Sequence, residues 1–181
     1  MKSTDAGMSL IEVMIASFFL TIALLAVAMA MGQGIAATYV SQEQLIAKQK
    51  ALEALEAVIM ARNTQEIGFA QIQNVANGGI FLSGFRPIEN MGVDGIPNTA
   101  DDTGPVESLT FPGPDGLLGT ADDVTVTLVG YQRQITISIL TLPAPDTNTD
   151  PDIRRIDVDV QYQVRGVTKT VRVSSMVSRY S

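Results

Sequence analysis

The sequence predicts an α+β fold: one long N-terminal α-helix packed on an antiparallel β-sheet head. Three observations carry this reading. Val13–Met31 is a run of 19 residues without a charge, polar only at Ser17 and Thr21, and no further charge follows until Glu43. No proline occurs before Pro87, so nothing forces a helix begun near the N-terminus to end early. Beyond Val124, apolar and polar residues alternate with the period of two expected of half-buried strands.

The helix comes first. About 20 apolar residues at 1.5 Å each cross a hydrocarbon core of roughly 30 Å. The sequence predicts helix from Met8 to about Arg62, a rod of about 80 Å at that rise. Its first half, 8–34, is uniformly apolar and reads as the membrane or assembly half. Gly32 and Gly34 mark a soft spot, since each glycine lowers helix propensity by roughly 1 kcal/mol. The second half, 35–62, is amphipathic. Leu45, Leu52, Leu55 and Ile59 form one stripe with Ala51 and Val58 beside it, and that stripe is expected to pack on the chain's own sheet.

Residues 63–181 form the head. Asn77-Gly78-Gly79 is a turn signal, and Ile80–Leu82 is either a short strand or a tuck under the sheet. Val106–Phe111 reads as a short strand. Val124–Leu142 alternates in two registers, with a bulge or bend expected near Gly130. Ile156–Val164 and Val167–Val177 alternate around a tight Arg165-Gly166 turn, giving a terminal hairpin with one buried and one wet face. About four antiparallel strands result, with Pro143–Pro151 as a polar loop.

An internal repeat lies inside the head. Residues 92–102 (GVDGIPNTADD) align with 113–123 (GPDGLLGTADD) at an offset of 21, and seven of eleven positions match. Each copy sets an Asp-Gly turn before an Asp-Asp pair: Asp94 with Asp101 and Asp102, then Asp115 with Asp122 and Asp123. Carboxylates on a glycine-containing loop with free carbonyls suit a hard cation such as Ca²⁺. The copies resemble the aspartate- and glycine-rich calcium loops of secreted bacterial proteins, although they lack the EF-hand pattern. They fit equally well as two strand-joining turns followed by solvated acids. Both readings stand on the sequence.

Composition closes off other classes. With no Cys and no His, thiol chemistry and most acid–base or nucleophile constellations are excluded, so no enzyme is expected. From Asn63 onward there are 8 Lys+Arg against 14 Asp+Glu, a net charge of −6. Such a surface repels nucleic acid, and no direct nucleic-acid contact is expected. Arg154-Arg155 and Lys169/Arg172 are interleaved with Asp157 and Asp159 and read as cross-strand charge pairs.

The stretch that organises the chain is Gly7-Met8-Ser9-Leu10-Ile11-Glu12. A carboxylate at the mouth of a membrane segment costs a few kcal/mol unless something pairs with it, about 3 kcal/mol on insertion scales. With the apolar run behind it, this stretch closely resembles the N-terminus of type IV pilins and type II secretion pseudopilins. The resemblance implies a leader of residues 1–7, cleavage after Gly7 by a prepilin peptidase, and N-methylation of Met8. It implies that Glu12 pairs with the new N-terminal amine of a neighbouring subunit. It also implies a pilin-like fold, an inner-membrane assembly platform and other subunits as partners. The subunit would sit in the inner membrane as a single-pass protein before assembly, and in a periplasmic or extracellular filament afterwards. The family usually has Phe where this chain has Met8, and its leader is usually more basic than Met1–Ala6. Many members carry a disulfide-closed loop that this chain lacks, whereas some pseudopilins order a head loop with calcium. Within the family a minor pilin or pseudopilin is favoured over a major pilin. The rival from another class is a calcium-dependent adhesin or binding module held by a plain signal anchor, for which Glu12 has no role.

Overall fold

The computed structural model describes residues 9–141 and 149–180. Gly7, Met8 and the rest of the expected leader lie outside the described residues, as does most of the polar loop expected at Pro143–Pro151. The chain divides into two compact units, one ending at Gln42 and one running from Glu43 to Ser181. The division falls C-terminal to the expected 34/35 boundary, because the helix from Glu43 onward belongs with the sheet.

Helix α1 spans Leu10–Asn63. It begins at Ser9, whose carbonyl accepts from the amides of Glu12 (3.0 Å) and Val13 (3.2 Å). Gly32 and Gly34 do not interrupt it. In the first unit, residues 9–35 are exposed on every side. This is the chain's one described helix long and apolar enough to cross a membrane.

The second unit carries the sheet. Strands β1 (Arg86–Pro87), β4 (Gln132–Thr141), β5 (Thr149–Val164) and β6 (Val167–Ser178) form an antiparallel sheet in the order β1-β4-β5-β6. Strands β2 (Ser108–Phe111) and β3 (Val124–Thr127) form a separate antiparallel pair. The core lies between α1 and the larger sheet. Ile135 and Ile137 of β4, and Ile156, Val158, Val160 and Tyr162 of β5, face it. The α+β class and the antiparallel sheet are as expected.

Two expectations need correction. The stretch from Val124 to Leu142 is not one bent strand. It contains β3 and β4, which sit in different sheets, separated by a turn with Gly130 at φ +94°. A slip of period there moves the chain between sheets instead of kinking one strand. The buried stripe of α1 also differs. The inward face is Ala47, Lys50, Ala51, Ala54, Leu55, Val58 and Ala61, whereas Leu45 is 65% exposed and Leu52 38%. Alanines let the helix backbone lie close to the sheet, so the small residues win the inner face and two of the three expected leucines turn out. Ile80–Leu82 tucks in: Phe81 is fully buried and bridges to Asn74.

The outer face of β5 carries the expected charges. Arg172 of β6 grips Asp159 with two bonds of 2.7 Å across the strands. Arg155 pairs with Asp157 along the same strand (2.7 and 2.9 Å), and Ser174 donates to the same carboxylate at 2.6 Å. Arg154 breaks the expectation of an ion pair. Its guanidinium turns inward and donates to the carbonyls of Phe69 (2.5 Å) and Ile72 (2.8 Å), over the Phe69 ring.

Two tests follow from this packing. Ala51→Leu, which adds three heavy atoms where there is no room, should destabilise the head by about 1–3 kcal/mol in urea melts of the detergent-held chain, and Leu45→Ala by less than about 0.5 kcal/mol. For Asp157, burial pushes the carboxyl up, but the Ser174 hydroxyl and Arg155 outweigh it and hold the group below the usual range. A depressed folded-state pKa stabilises above the unfolded value of about 3.9 and loses that contribution as pH falls through it. Ser174→Ala should therefore flatten the loss of stability on acidification below about pH 4. An unchanged acid limb would refute the role given to that hydroxyl.

Candidate functional site

The first candidate is the exposed helix. Leu10, Ile11, Val13 and Met14 surround Glu12, and all of them are exposed. Glu12 stands in the first turn of α1, where unpaired amides and the helix dipole favour a carboxylate in water. In lipid the same group is costly. The hydroxyls of the run are each satisfied within the helix. Ser17 donates to the Val13 carbonyl at 2.7 Å and Thr21 to the Ser17 carbonyl at 2.8 Å. Such i−4 bonds remove the polar cost that hydrocarbon imposes. Among the polar groups of residues 10–31, Glu12 alone carries a charge that the helix cannot absorb.

The second candidate is the acidic repeat, and the two copies fold alike. In the first copy the Asp94 carboxylate accepts from the Ile96 amide (2.8 Å), Asp102 from the Asn98 amide (2.6 Å), and Asp101 from the Thr99 hydroxyl (2.7 Å). In the second copy Asp115 accepts from Leu117 (2.8 Å), Asp123 from Gly119 (2.6 Å), and Asp122 from the Thr120 hydroxyl (2.7 Å). The threonine bond is the first cause that holds Asp101 and Asp122 below the usual carboxyl range. Burial raises Asp94, with the nearby Asp101 and Asp102 charges adding to it.

This geometry explains six of the seven repeated residues. Gly92 and Gly113 lie against the side chains of Asp101 and Asp122, where a Cβ would collide. Gly95 and Gly116 take positive φ (63° and 73°). The three acids and the threonine tie each loop to its own backbone. Ala100 and its counterpart Ala121 have no assigned role. Asp94, Asp101, Asp102, Asp115, Asp122 and Asp123 were read from the sequence either as calcium ligands or as acids of strand-joining turns. Their carboxylates accept from loop amides and hydroxyls, and among the described residues no group of three or more acidic side chains is arranged to hold a metal ion.

The copies differ in where they sit. Ile96, Pro97, Asn98 and Thr99 of the first are buried, whereas the matching residues of the second are largely exposed. Asn98 takes φ 62° where the second copy has Gly119. Its side chain accepts from Arg133 Nε at 2.9 Å and donates to the Arg133 carbonyl at 3.1 Å. Arg133 is 1% exposed, and burial pulls its guanidinium down against the attraction of Glu107, Asp102 and Glu53. Nearby, the Lys50 ammonium pairs with Glu107 at 2.5 Å and Glu53 at 2.8 Å. Burial lowers Lys50, but both carboxylates outweigh it and the net shift is upward. Asn98 thus fastens the first loop to β4, and Lys50 fastens α1 to Glu107, the residue before β2.

Sequence reasoning missed this network, yet it left a signal. Arg133 interrupts the inward register Tyr131, Ile135, Ile137, and Lys50 interrupts the alanines of α1. A charge at a core position of an otherwise regular pattern predicts a buried partner. No family model, curated protein or solved structure matches the chain.

The two threonines test the loop geometry. Thr99 is buried and its hydroxyl also reaches the Ile96 carbonyl at 3.0 Å. Thr99→Val should cost about 1–3 kcal/mol, because a buried acceptor loses its donor, whereas Thr120→Val in the wet copy should cost below about 1 kcal/mol. Urea unfolding of the intact chain, followed by tyrosine fluorescence, separates the two. Equal costs would contradict the docked-and-free distinction.

Proposed function

We propose that this chain is a structural subunit of a type IV pilin or pseudopilin filament, processed between Gly7 and Met8 and assembled through its N-terminal helix. One observation carries the reading: residues 9–35 are apolar and exposed on every side, with a single unabsorbed carboxylate, Glu12, in the first turn. A helix apolar all round needs lipid or other helices about it. A lone acid at its start is retained where a cation meets it in the assembled state, and the α-amine of a cleaved neighbour supplies that cation. Lipid holds the subunit before assembly, and other copies of the helix replace the lipid afterwards.

The acidic head is the exposed part of such a fibre. A minor pilin or pseudopilin is the preferred form, since the chain has no cysteine to close a C-terminal loop. An adhesin on a plain anchor is the competing account, and Glu12 separates the two.

Intact mass of the protein from native membranes, or from sheared filaments, should correspond to a chain beginning at methylated Met8. Glu12→Ala should insert in membranes at least as well as the parent, because a charge leaves the apolar segment. It should reduce sedimentable filament by about tenfold or more, the loss expected when one desolvated charge pair is broken. A chain that keeps residues 1–7 in cells with active prepilin peptidase, or a Glu12→Ala variant that assembles normally, would sink the proposal in favour of the anchored module.

A further inference from the structure

We infer that the heads of successive subunits join through two different patches, with the basic β5–β6 hairpin tip of one copy seated in an acidic, apolar-floored cleft of the next. This rests on the filament reading above. The cleft has a volume of about 660 Å³. Val75, Ile80 and Val93 give it apolar surface, and Glu66, Asp94 and Asp101 give it three carboxylates. Val93 is fully exposed and Val75 about half exposed, which is unusual for valines beside a packed core. Glu66 is exposed just beyond Asn63, the last residue of α1.

The occupant is identified by what the same head presents elsewhere. Five of the eight head cations are already engaged. Arg155, Arg172 and Arg179 are in ion pairs, Arg154 is on carbonyls, and Arg133 is on Asn98. Among the described residues, Arg86, Arg165 and Lys169 have no ion-pair partner, and the last two lie together at one hairpin tip with exposed Val167 between them. Arg165 and Gly166 have φ of 52° and 78°, the two-residue turn that closes the hairpin. Two cations around an exposed valine complement three acids around exposed valines.

The two surfaces are different patches of the head. Tyr131 donates to the Glu43 carboxylate, its ring stacks on Tyr162 at 5.8 Å, and Tyr162 pairs across the strands with Lys169. The tip therefore belongs to the Glu43 end of α1. One wall of the cleft, Glu66 and Ile67, follows the Asn63 end, where the Ile67 amide caps the Ala61 carbonyl at 3.2 Å, and the other is the first acidic loop, which Asn98 holds on Arg133 of β4. Two different patches make a heterologous contact, which propagates instead of closing on itself.

The test uses the full chain, which has no cysteine of its own. Val93→Cys with Val167→Cys, in native membranes and in sheared filaments, should give a ladder of dimers, trimers and higher species on mild oxidation or with a short bismaleimide. Either single variant should stop at dimers or below. Lys169→Glu or Glu66→Lys alone should reduce the ladder by about tenfold, the worth of a complementary charge contact, and Glu66→Lys with Lys169→Glu in one chain should restore it. Both positions are exposed, so the fold is retained, and Arg165→Asn, which suits the positive φ, gives a second loss of charge at the tip. Filaments that form without a ladder exceeding a Val93→Cys/Met176→Cys control overturn the contact and leave the filament reading standing, as does a ladder indifferent to these charges. If the parent makes no filaments, the filament reading falls, and the ladder in membranes alone decides the contact.

Discussion

Among the described residues, nothing covers the apolar surface of residues 9–35 of α1, and most of the molecule's behaviour follows from that. At about 25 cal/mol per Å², a few large side chains left in water cost several kcal/mol, and here more than a dozen are exposed. The helix stays intact because its polar atoms are satisfied internally, including Ser17 and Thr21 through i−4 bonds. An element that is stable within itself and unsatisfied outside itself is suited to exchange one apolar surrounding for another. Glu12 is the exception to that self-sufficiency, since a carboxylate gains nothing from lipid and much from a partnered cation.

The head solves a different problem: how to hold a helix firmly when alanines make up most of its inner face. Alanines bring α1 close to the sheet but bury little area each, so specificity has to come from elsewhere. Lys50–Glu107 and Arg133–Asn98 supply it, the one between α1 and the residue before β2, the other between the first acidic loop and β4. Buried ion pairs add little net stability against apolar replacements, but they are costly to misalign. The network therefore fixes register more than it adds strength. Arg154 does the same at the other end, donating to the carbonyls of Phe69 and Ile72 at the short 3₁₀ turn Phe69–Gln71.

Much of this was readable from the residues. The uncharged run, the absence of proline before Pro87 and the terminal hairpin are single-period signals, and they yielded the helix, the antiparallel sheet and the Arg165-Gly166 turn. The inner face of α1 was misread because periodicity was weighed by side-chain size, whereas close packing against a flat sheet selects for small residues. The break at Gly130 was visible only as a change of register, since local pattern does not say whether a strand bends or moves to a second sheet. The acidic repeat was found by alignment, but its physical content needed coordinates. The same letters suit a cation site and a self-bonded turn, and the coordinates add the directions in which the carboxylates point.

The pair of loops also shows how one local solution acquires two environments. The backbone geometry is fixed by Gly, Asp, Thr and the Asp-Asp pair in both copies. What differs is the intervening residues: Ile96-Pro97-Asn98 against Leu117-Leu118-Gly119. Asn98 keeps the left-handed conformation that Gly119 takes freely, and gains from it a bidentate hold on Arg133. That single exchange docks the first loop on the core, and Gly92–Asp102 becomes a rigid wall beside Glu66 and Ile67. The second loop has Gly119 where the first has its anchor, and its Leu117 and Leu118 stay in solvent. A head with a net charge of −6 repels its own copies within a screening length of about 8 Å. Close stacking of such heads therefore requires a local reversal of sign. The docked loop and the hairpin tip carry opposite charges, and that difference is the reversal on which the proposed contact relies.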